Sequence, residues 1–239
     1  MQMVKPYFEL ENYSAKRLSV RNYYSNVSDF YMLDGVIDPS AYQVEPIKIA
    51  AVLAEPYGYD ADDGVVNIEH QPFTDVLGFP KIKTTLKLAS LYWLLFSTLK
   101  NVRPMTYQEL PYLFSVQNPN ISEQANCLCA TAWINVKKVP NSHSRAVPSL
   151  IYRHVEEHAS ILRQQLESVC ADLVLICHQQ AFDGLKNTHC LDGLSKMRDQ
   201  FQRTKQGQLV LHVKHPSRWS YEYMHKIYCL LWEHFTLEK

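Results

Sequence analysis

Two short motifs in this chain place residues of acid–base type just past apolar runs. Ala54-Glu55-Pro56-Tyr57-Gly58 follows Ile47-Lys48-Ile49-Ala50-Ala51-Val52-Leu53, and His215-Pro216-Ser217-Arg218-Trp219-Ser220 follows Leu209-Val210-Leu211-His212-Val213. Each run reads as a strand, and each Pro removes the donor that a sheet ladder would need next. In an open α/β sheet, ligands bind beyond the carboxyl ends of the strands. A carboxylate from one end of the chain and an imidazole from the other would then converge on one crevice, a pair suited to stabilising charge and moving a proton.

The elements that must position this pair follow from the hydrophobic pattern. Strand one runs from about Pro46 to Leu53, with Lys48 its only polar residue before Glu55, as in a strand buried on both faces. Residues 58–83 carry Gly, Asp and Pro signals and read as a long loop. Lys83 to Val102 predicts a helix with Leu88, Leu91, Leu95 and Leu99 on one stripe. Thr106 to Ser115 predicts a short helix, with Thr106 and Glu109 forming a capping box. Cys127 to Val139 predicts strand two, containing Trp133-Ile134-Asn135-Val136-Lys137-Lys138. A helix from Pro148 to about Cys170 leads into strand three, Ala171 to Cys177, which ends at His178-Gln179-Gln180. A helix over about Leu191–Lys205, strand four over Leu209–Val213 and a closing helix over Ser220–Phe235 complete the pattern. Strands alternating with helices predict an α/β fold: a single domain with a central, mostly parallel four-stranded sheet and helices on both faces. Residues 1–44 read as a partly helical N-terminal extension of the domain over 45–239.

Composition narrows the function classes. At 239 residues and 46% hydrophobic the chain can bury a real core, and a formal net charge of zero gives no global basic field for nucleic acid. The Met1-Gln2-Met3-Val4-Lys5 start is no secretory signal, and the run Leu88–Leu99 is too short to span a membrane. The expected setting is cytoplasmic (nucleoid-associated in a bacterium), with no membrane partner. Of six cysteines only Cys127 and Cys129 are close, and the spacing fits neither zinc nor iron–sulfur ligation, so reduced thiols are expected. With seven glycines and no P-loop, G-x-G-x-x-G or G-x-S-x-G, no nucleotide cofactor is expected.

On Glu55-Pro56-Tyr57, Asn135 and the His215-Pro216-Ser217 hexapeptide, in this order and on these strands, the chain resembles the uracil-DNA glycosylase superfamily over roughly residues 46–235. The resemblance implies a monofunctional DNA glycosylase that hydrolyses the bond between deoxyribose and a flipped uracil or modified pyrimidine, leaving an abasic site. It further implies a monomer without metal or cofactor, acting in DNA repair, while the altered pocket motif leaves room for a role in defence against modified foreign DNA. Glu55 falls where the family positions or activates water, and Pro56 and Tyr57 match the Pro-Tyr whose ring shields the C5 edge of the base. Asn135 matches the reader of the Watson–Crick edge, within an Asn135-Val136-Lys137-Lys138 stretch similar to the Asn-Val-Val-Lys of the thermostable branch. His215 matches the stabiliser of the departing base anion. Trp219 stands where a Leu wedge fills the vacated stack, and Phe73 is similar to an aromatic that stacks on the extruded base. Pro56, Ser217, Arg218, Trp219, Lys137 and Lys138 are the implied DNA contacts. Three departures bear on the substrate: Leu53-Ala54 replaces the usual Gly-Gln, Glu55 is longer than Asp, and Trp219 is bulkier than Leu.

The chemistry fits those residue types. Breaking an N-glycosidic bond builds positive charge on the sugar, which a carboxylate stabilises, and negative charge on the base, which a neutral imidazole stabilises. A flipped base costs a few kcal/mol to extrude, which contacts such as these must offset. A rival constellation, His154-Val155-Glu156-Glu157-His158, has the H-x-x-E-H form of a zinc site. Its neighbours Arg153, Arg163 and Gln164 predict a solvent-facing helix without a third ligand, so no metal is expected. The competing function class is a non-catalytic DNA- or protein-binding module on the same fold.

Overall fold

The computed structural model describes residues 8–29, 31–54, 65–67, 81–99, 101–110, 113–115, 117–139, 147–194 and 200–237. In chain order the elements are α1 (Leu10–Ser25), β1 (Tyr31–Leu33), β2 (Gly35–Val36), α2 (Pro39–Val44), β3 (Ile49–Leu53), β4 (Val65–Asn67), α3 (Lys83–Thr98), α4 (Ile121–Cys129), β5 (Ala132–Asn135), α5 (Pro148–Glu157), α6 (Ala159–Ser168), β6 (Leu173–Ile176), α7 (Gln179–Asn187), β7 (Phe201–Arg203), β8 (Leu209–His212) and α8 (Tyr221–Leu237). Single 3₁₀ turns lie at Tyr107–Glu109 and Pro216–Arg218. The chain divides into two compact units, residues 1–71 with 130–213 and residues 72–129 with 214–239.

The first unit is built on a mixed six-stranded sheet of order β2-β5-β3-β6-β8-β7. Its central four strands, β5, β3, β6 and β8, are parallel and correspond to the four strands expected from sequence. The sheet is not limited to them: β2 and β7 add antiparallel edges. Both edges escaped the pattern reading for physical reasons. β2 is two residues long and begins with Gly35, a poor strand former. β7 is a three-residue edge with one exposed and one half-buried side chain, and it lies inside the segment read as the helix 191–205. β1 and β4 form a separate parallel pair.

Other boundaries moved as well. Cys127–Cys129 ends helix α4, so strand two starts only at Ala132. The long helix expected from Pro148 is two helices that meet at His158, where φ is −117° and ψ is 20°. Helix α7, absent from the sequence reading, follows directly on His178.

Core packing explains why the central strands read as continuous apolar runs. Ala50, Val52, Ile134, Val174, Ile176 and Val210 share one face with Ile151, Val155, Leu162, Phe182 and Leu185 from α5, α6 and α7. Residues of the opposite parity, Ile49, Ala51, Leu173, Leu175 and Leu211, are equally buried. Helix α1 packs on α6, and α5 packs on α7. Helix starts are encoded locally: Asp38 caps α2 by accepting from the Ser40 and Ala41 N–H groups, with Pro39 at the first position.

In the second unit, α3 buries Leu88, Leu91 and Leu95 as its spacing predicted and packs on α4 and α8. Thr98 and Tyr228 hydroxyls meet at 2.8 Å, and the Trp232 indole N–H donates to the Thr98 carbonyl at 3.1 Å. The expected helix at Thr106 is one 3₁₀ turn, on which Glu109 accepts from the Thr106 N–H at 2.6 Å.

The α5–α7 contact gives a stability prediction. A Cβ on Gly184 would lie 2.9 Å from Val155 Cβ and 3.0 Å from its Cγ1. Overpacking of that kind costs about 1–3 kcal/mol, against roughly 1 kcal/mol of helix propensity gained from Ala. Gly184→Ala is expected to lower the urea midpoint without changing the slope, and a midpoint at or above wild type would show that the helices can part freely.

Candidate functional site

The sheet order places a crevice by topology. From β3 the chain next joins this sheet at β5 on one side, and from β6 it next joins it at β7 and then β8 on the other. Connections that diverge from neighbouring parallel strands leave an opening beyond their carboxyl ends, where α/β proteins bind ligands. The first unit's ladder reaches past the formal strands toward that opening. Val136 N–H donates to the Leu53 carbonyl at 3.0 Å, Lys137 N–H to Ala54 at 2.9 Å, and Cys177 N–H to Val52 at 2.8 Å. Glu55 is the next residue of the chain after Ala54. Glu55, Pro56, Tyr57 and Phe73 themselves lie outside the described residues.

Asn135 ends β5 on this edge and is 1% exposed. Its backbone N–H donates to Asp34 Oδ2 at 2.6 Å, and its Nδ2 donates to the same oxygen at 3.1 Å and lies 3.3 Å from Met32 Sδ. Asp34 is the hub of a fully buried polar cluster. Its Oδ1 accepts from Gln165 Nε2 at 2.8 Å and is ion-paired with Lys138, both side chains having no exposure. Its carbonyl accepts from Arg17 at 3.0 Å, and Arg17 also donates to the Leu33 carbonyl and the Tyr13 hydroxyl. Gly35 is required beside it, because φ is +144° and a Cβ there would lie 2.6 Å from the Tyr13 hydroxyl oxygen.

These contacts revise the expected DNA-binding lysines. Burial pushes the Lys138 ammonium down and Asp34 opposes that, so its charge is committed inside the protein and does not face a solvent-borne phosphate. Lys137 is also buried and donates to the Val139 carbonyl. Asp34, the centre of the cluster, was missed because it lies in the segment read as an extension. A signal was present: one acid inside Tyr31-Met32-Leu33-Asp34-Gly35-Val36-Ile37, an apolar run that buries it.

In the second unit, His215 caps the Pro216–Arg218 turn. Its Nδ1 accepts from the Ser217 N–H at 3.3 Å and lies 2.8 Å from Ser217 Oγ. A nitrogen that accepts a backbone N–H carries no proton, which leaves the neutral ring its proton on Nε2, as a donor. Ser217 and Arg218 are exposed on this turn. Lys87, whose ammonium is pushed down by burial and by Lys83, fastens the turn by donating to the Ser217 and Trp219 carbonyls. Trp219 is 3% exposed, and its indole N–H donates to the Lys214 carbonyl at 2.7 Å. An indole so placed holds the turn together, and it would have to leave this packing to fill a base stack.

The H-x-x-E-H segment is also placed differently from expectation. His154 faces inward, stacked 12° from parallel on Tyr24 with its Nε2 3.5 Å from the Tyr24 hydroxyl. His158 lies at the α5–α6 junction, its ring 4.1 Å from that of His154 and its Nδ1 2.8 Å from the Tyr23 hydroxyl. Burial first, then His158, Lys137 and Lys138, pull the His154 pKa down to about 2. Among the described residues no group of three or more His, Cys, Asp or Glu is placed to hold a metal ion. The Cys177 thiol is pushed up by full burial and has no nucleophilic character. Comparison with models of known protein families gives no match, and comparison with curated proteins gives none.

Two predictions follow from the buried charges. Lys138→Met strands the Asp34 carboxylate and is expected to cost about 3–5 kcal/mol, whereas Asp34→Asn with Lys138→Met restores most of the loss. Denaturant titration of the three proteins checks this, and a harmless single variant would show that water reaches Asp34. For His154, the unfolded chain takes up a proton near pH 6.5 and the folded chain only near 2. Its neutral form therefore supports folding fully above about pH 6.5, and stability falls as pH drops toward 2, by about 2 kcal/mol from pH 7 to 5. His154→Gln is expected to flatten that part of the pH dependence, and an unchanged slope would assign it to other groups.

Proposed function

We propose that this protein is a metal-independent, monofunctional DNA glycosylase that releases a flipped uracil or modified pyrimidine from DNA. The observation that carries the reading is the pairing of sequence with topology. Asn135 ends β5, and in the sequence Glu55 comes two residues after β3 and His215 three residues after β8, where β3, β5 and β8 are parallel strands of one sheet. In the order of the sequence, a carboxylate, a carboxamide and an imidazole thus each come at or just after one of these strands, the three groups the reaction needs.

Each role follows from the chemistry of the group. The Glu55 carboxylate stabilises the oxocarbenium-like sugar and orients the attacking water. The neutral His215 ring, with its proton on Nε2, donates to the oxygen of the leaving base as negative charge builds there. Asn135 reads the base edge, and Tyr57 and Phe73 flank the ring. Ser217 and Arg218, exposed on the turn behind His215, hold phosphates next to the flipped nucleotide. The net charge of zero supports this more than it seems to from composition alone, because residues 72–129 and 214–239 carry nine Lys and Arg against six Asp and Glu. Lys138 and Trp219 take no part in the contact as they are placed, which narrows the DNA grip to that turn and its neighbours.

The test is release of base from duplex oligonucleotides carrying uracil or a panel of modified pyrimidines, with EDTA present and abasic sites cleaved by alkali. Wild type is expected to cleave. His215→Ala should slow release about 100- to 1,000-fold, the usual loss for one preorganised donor, and Glu55→Gln at least as much. DNA binding without release from any duplex would favour the binding-module alternative.

A further inference from the structure

The turn that carries His215 has its carbonyls engaged from within the second unit. The Lys214 carbonyl accepts from the Trp219 indole at 2.7 Å, the His215 carbonyl from the Arg218 N–H at 2.9 Å, and the Pro216 carbonyl from the Trp219 N–H at 3.0 Å. The Ser217 and Trp219 carbonyls both accept from the Lys87 ammonium, the first at 3.3 Å. Lys87 stands on the second turn of α3, which packs against this turn. Its ammonium lies 5.2 Å from the centre of the Phe114 ring, and Phe114 is stacked on Tyr221 at 4.3 Å. The charged neighbour that acts on it is a second cation, Lys83, so carbonyls and a ring hold this ammonium where an acid ordinarily would. Carbonyls at the end of a helical turn otherwise face water as its negative end, which repels anions. Lys87 draws two of them inward.

Resting on the glycosylase reading, we propose that Lys87 is a positioning residue for His215: it pins Ser217, and Ser217 fixes the imidazole as a donor through Nε2. Ser217 is the link because it meets both groups. Its carbonyl accepts from Lys87, while its N–H and Oγ reach the same ring nitrogen, Nδ1, at 3.3 and 2.8 Å. With Lys87 in place, Ser217 cannot swing away from the ring without breaking the ammonium contact. Without it, the exposed turn is free to move, and water satisfies either tautomer of the imidazole equally. Lys87 thus serves the chemical step and not the grip on DNA, and its effect depends on His215 being present.

The experiment is single-turnover release from the duplex that wild type cleaves, by wild type, Lys87→Met, Lys87→Arg, His215→Ala and Lys87→Met with His215→Ala. Met keeps the packed stem and removes the charge and donors, whereas Arg keeps all three. Lys87→Met should slow the rate at saturating enzyme roughly 10- to 100-fold, the scale of a small misplacement, with DNA affinity changed less than about threefold. Lys87→Arg should recover most of that rate. On the His215→Ala background, Lys87→Met should cost no more than about threefold further, because the group it acts through is gone. A rate unchanged in Lys87→Met, a loss in affinity alone, or a full loss that persists without His215 overturns the proposal. If wild type releases no base, the glycosylase reading falls separately, and the positioning is decided on the protein alone. At about pH 8, where an ordinary imidazole is neutral, ¹⁵N NMR should place the His215 proton on Nε2 in wild type and Lys87→Arg. Lys87→Met should show a mixture of tautomers, and a wild-type pattern there overturns the positioning role. Should Lys87→Met fail to fold, the wild-type ammonium decides. Its protons should exchange at least about tenfold more slowly than those of exposed Lys83, and exchange as fast as at Lys83 overturns the proposal.

Discussion

The Asp34 carboxylate is the constraint on which the rest of the first unit depends. An ionised carboxylate in a dry interior is tolerated only with its lone pairs satisfied and its charge balanced. Here the balancing charge is Lys138 and the donors are Asn135 and Gln165. Those partners come from the end of β5, the segment beyond it and helix α6. Arg17 of α1 holds the same chain segment through the Leu33 and Asp34 carbonyls. One buried acid thus fixes the position of helix α1, edge strand β2 and the carboxyl end of β5 together. None of these can shift without leaving a polar group unpaired, which is why the N-terminal segment is part of the sheet structure.

How much of this could be read from sequence divides along burial and length. The four central strands were legible because burial on both faces makes them continuous apolar runs, and β3, β6 and β8 fell within one or two residues of expectation at most of their ends. Lys83–Thr98 was legible because its leucine stripe repeats over several turns. The edges were not: Gly35–Val36 has too few residues to show alternation, and Phe201–Arg203 is polar enough to pass for a helix face. The break at His158 was also invisible, since no Pro or Gly marks it.

The site shows the same division. Asn135 and the His215 turn stand out in the sequence because motif residues sit at strand ends, where position alone suggests chemistry. Asp34 was not, because nothing in local spacing tells a buried counter-charge from an exposed one. Lys137 and Lys138 were misjudged for the converse reason: a Lys-Lys pair in sequence looks like a solvated basic patch, yet both side chains turn inward. His154 repeats that lesson on a helix whose neighbours are mostly charged.

The electrostatics of the buried cluster bear on the proposed chemistry. A cationic Lys138 left unpaired beside Asn135 would bind any anion and blur selection of a neutral base. Paired with Asp34, its charge is balanced beside the Asn135 carboxamide, whose Nδ2 donates to the same carboxylate. The group proposed to meet developing negative charge is instead His215, whose Nδ1 accepts the Ser217 backbone N–H. A neutral donor suits an anion that forms only in the transition state, because it attracts the uncharged ground state less than an imidazolium would attract a permanent anion such as phosphate. Ser217 and the charged Arg218 are exposed on the turn after His215, whereas the charges of the Asp34 cluster are buried. On the proposed reading, contact with a polyanion falls to that exposed turn and not to the buried lysines.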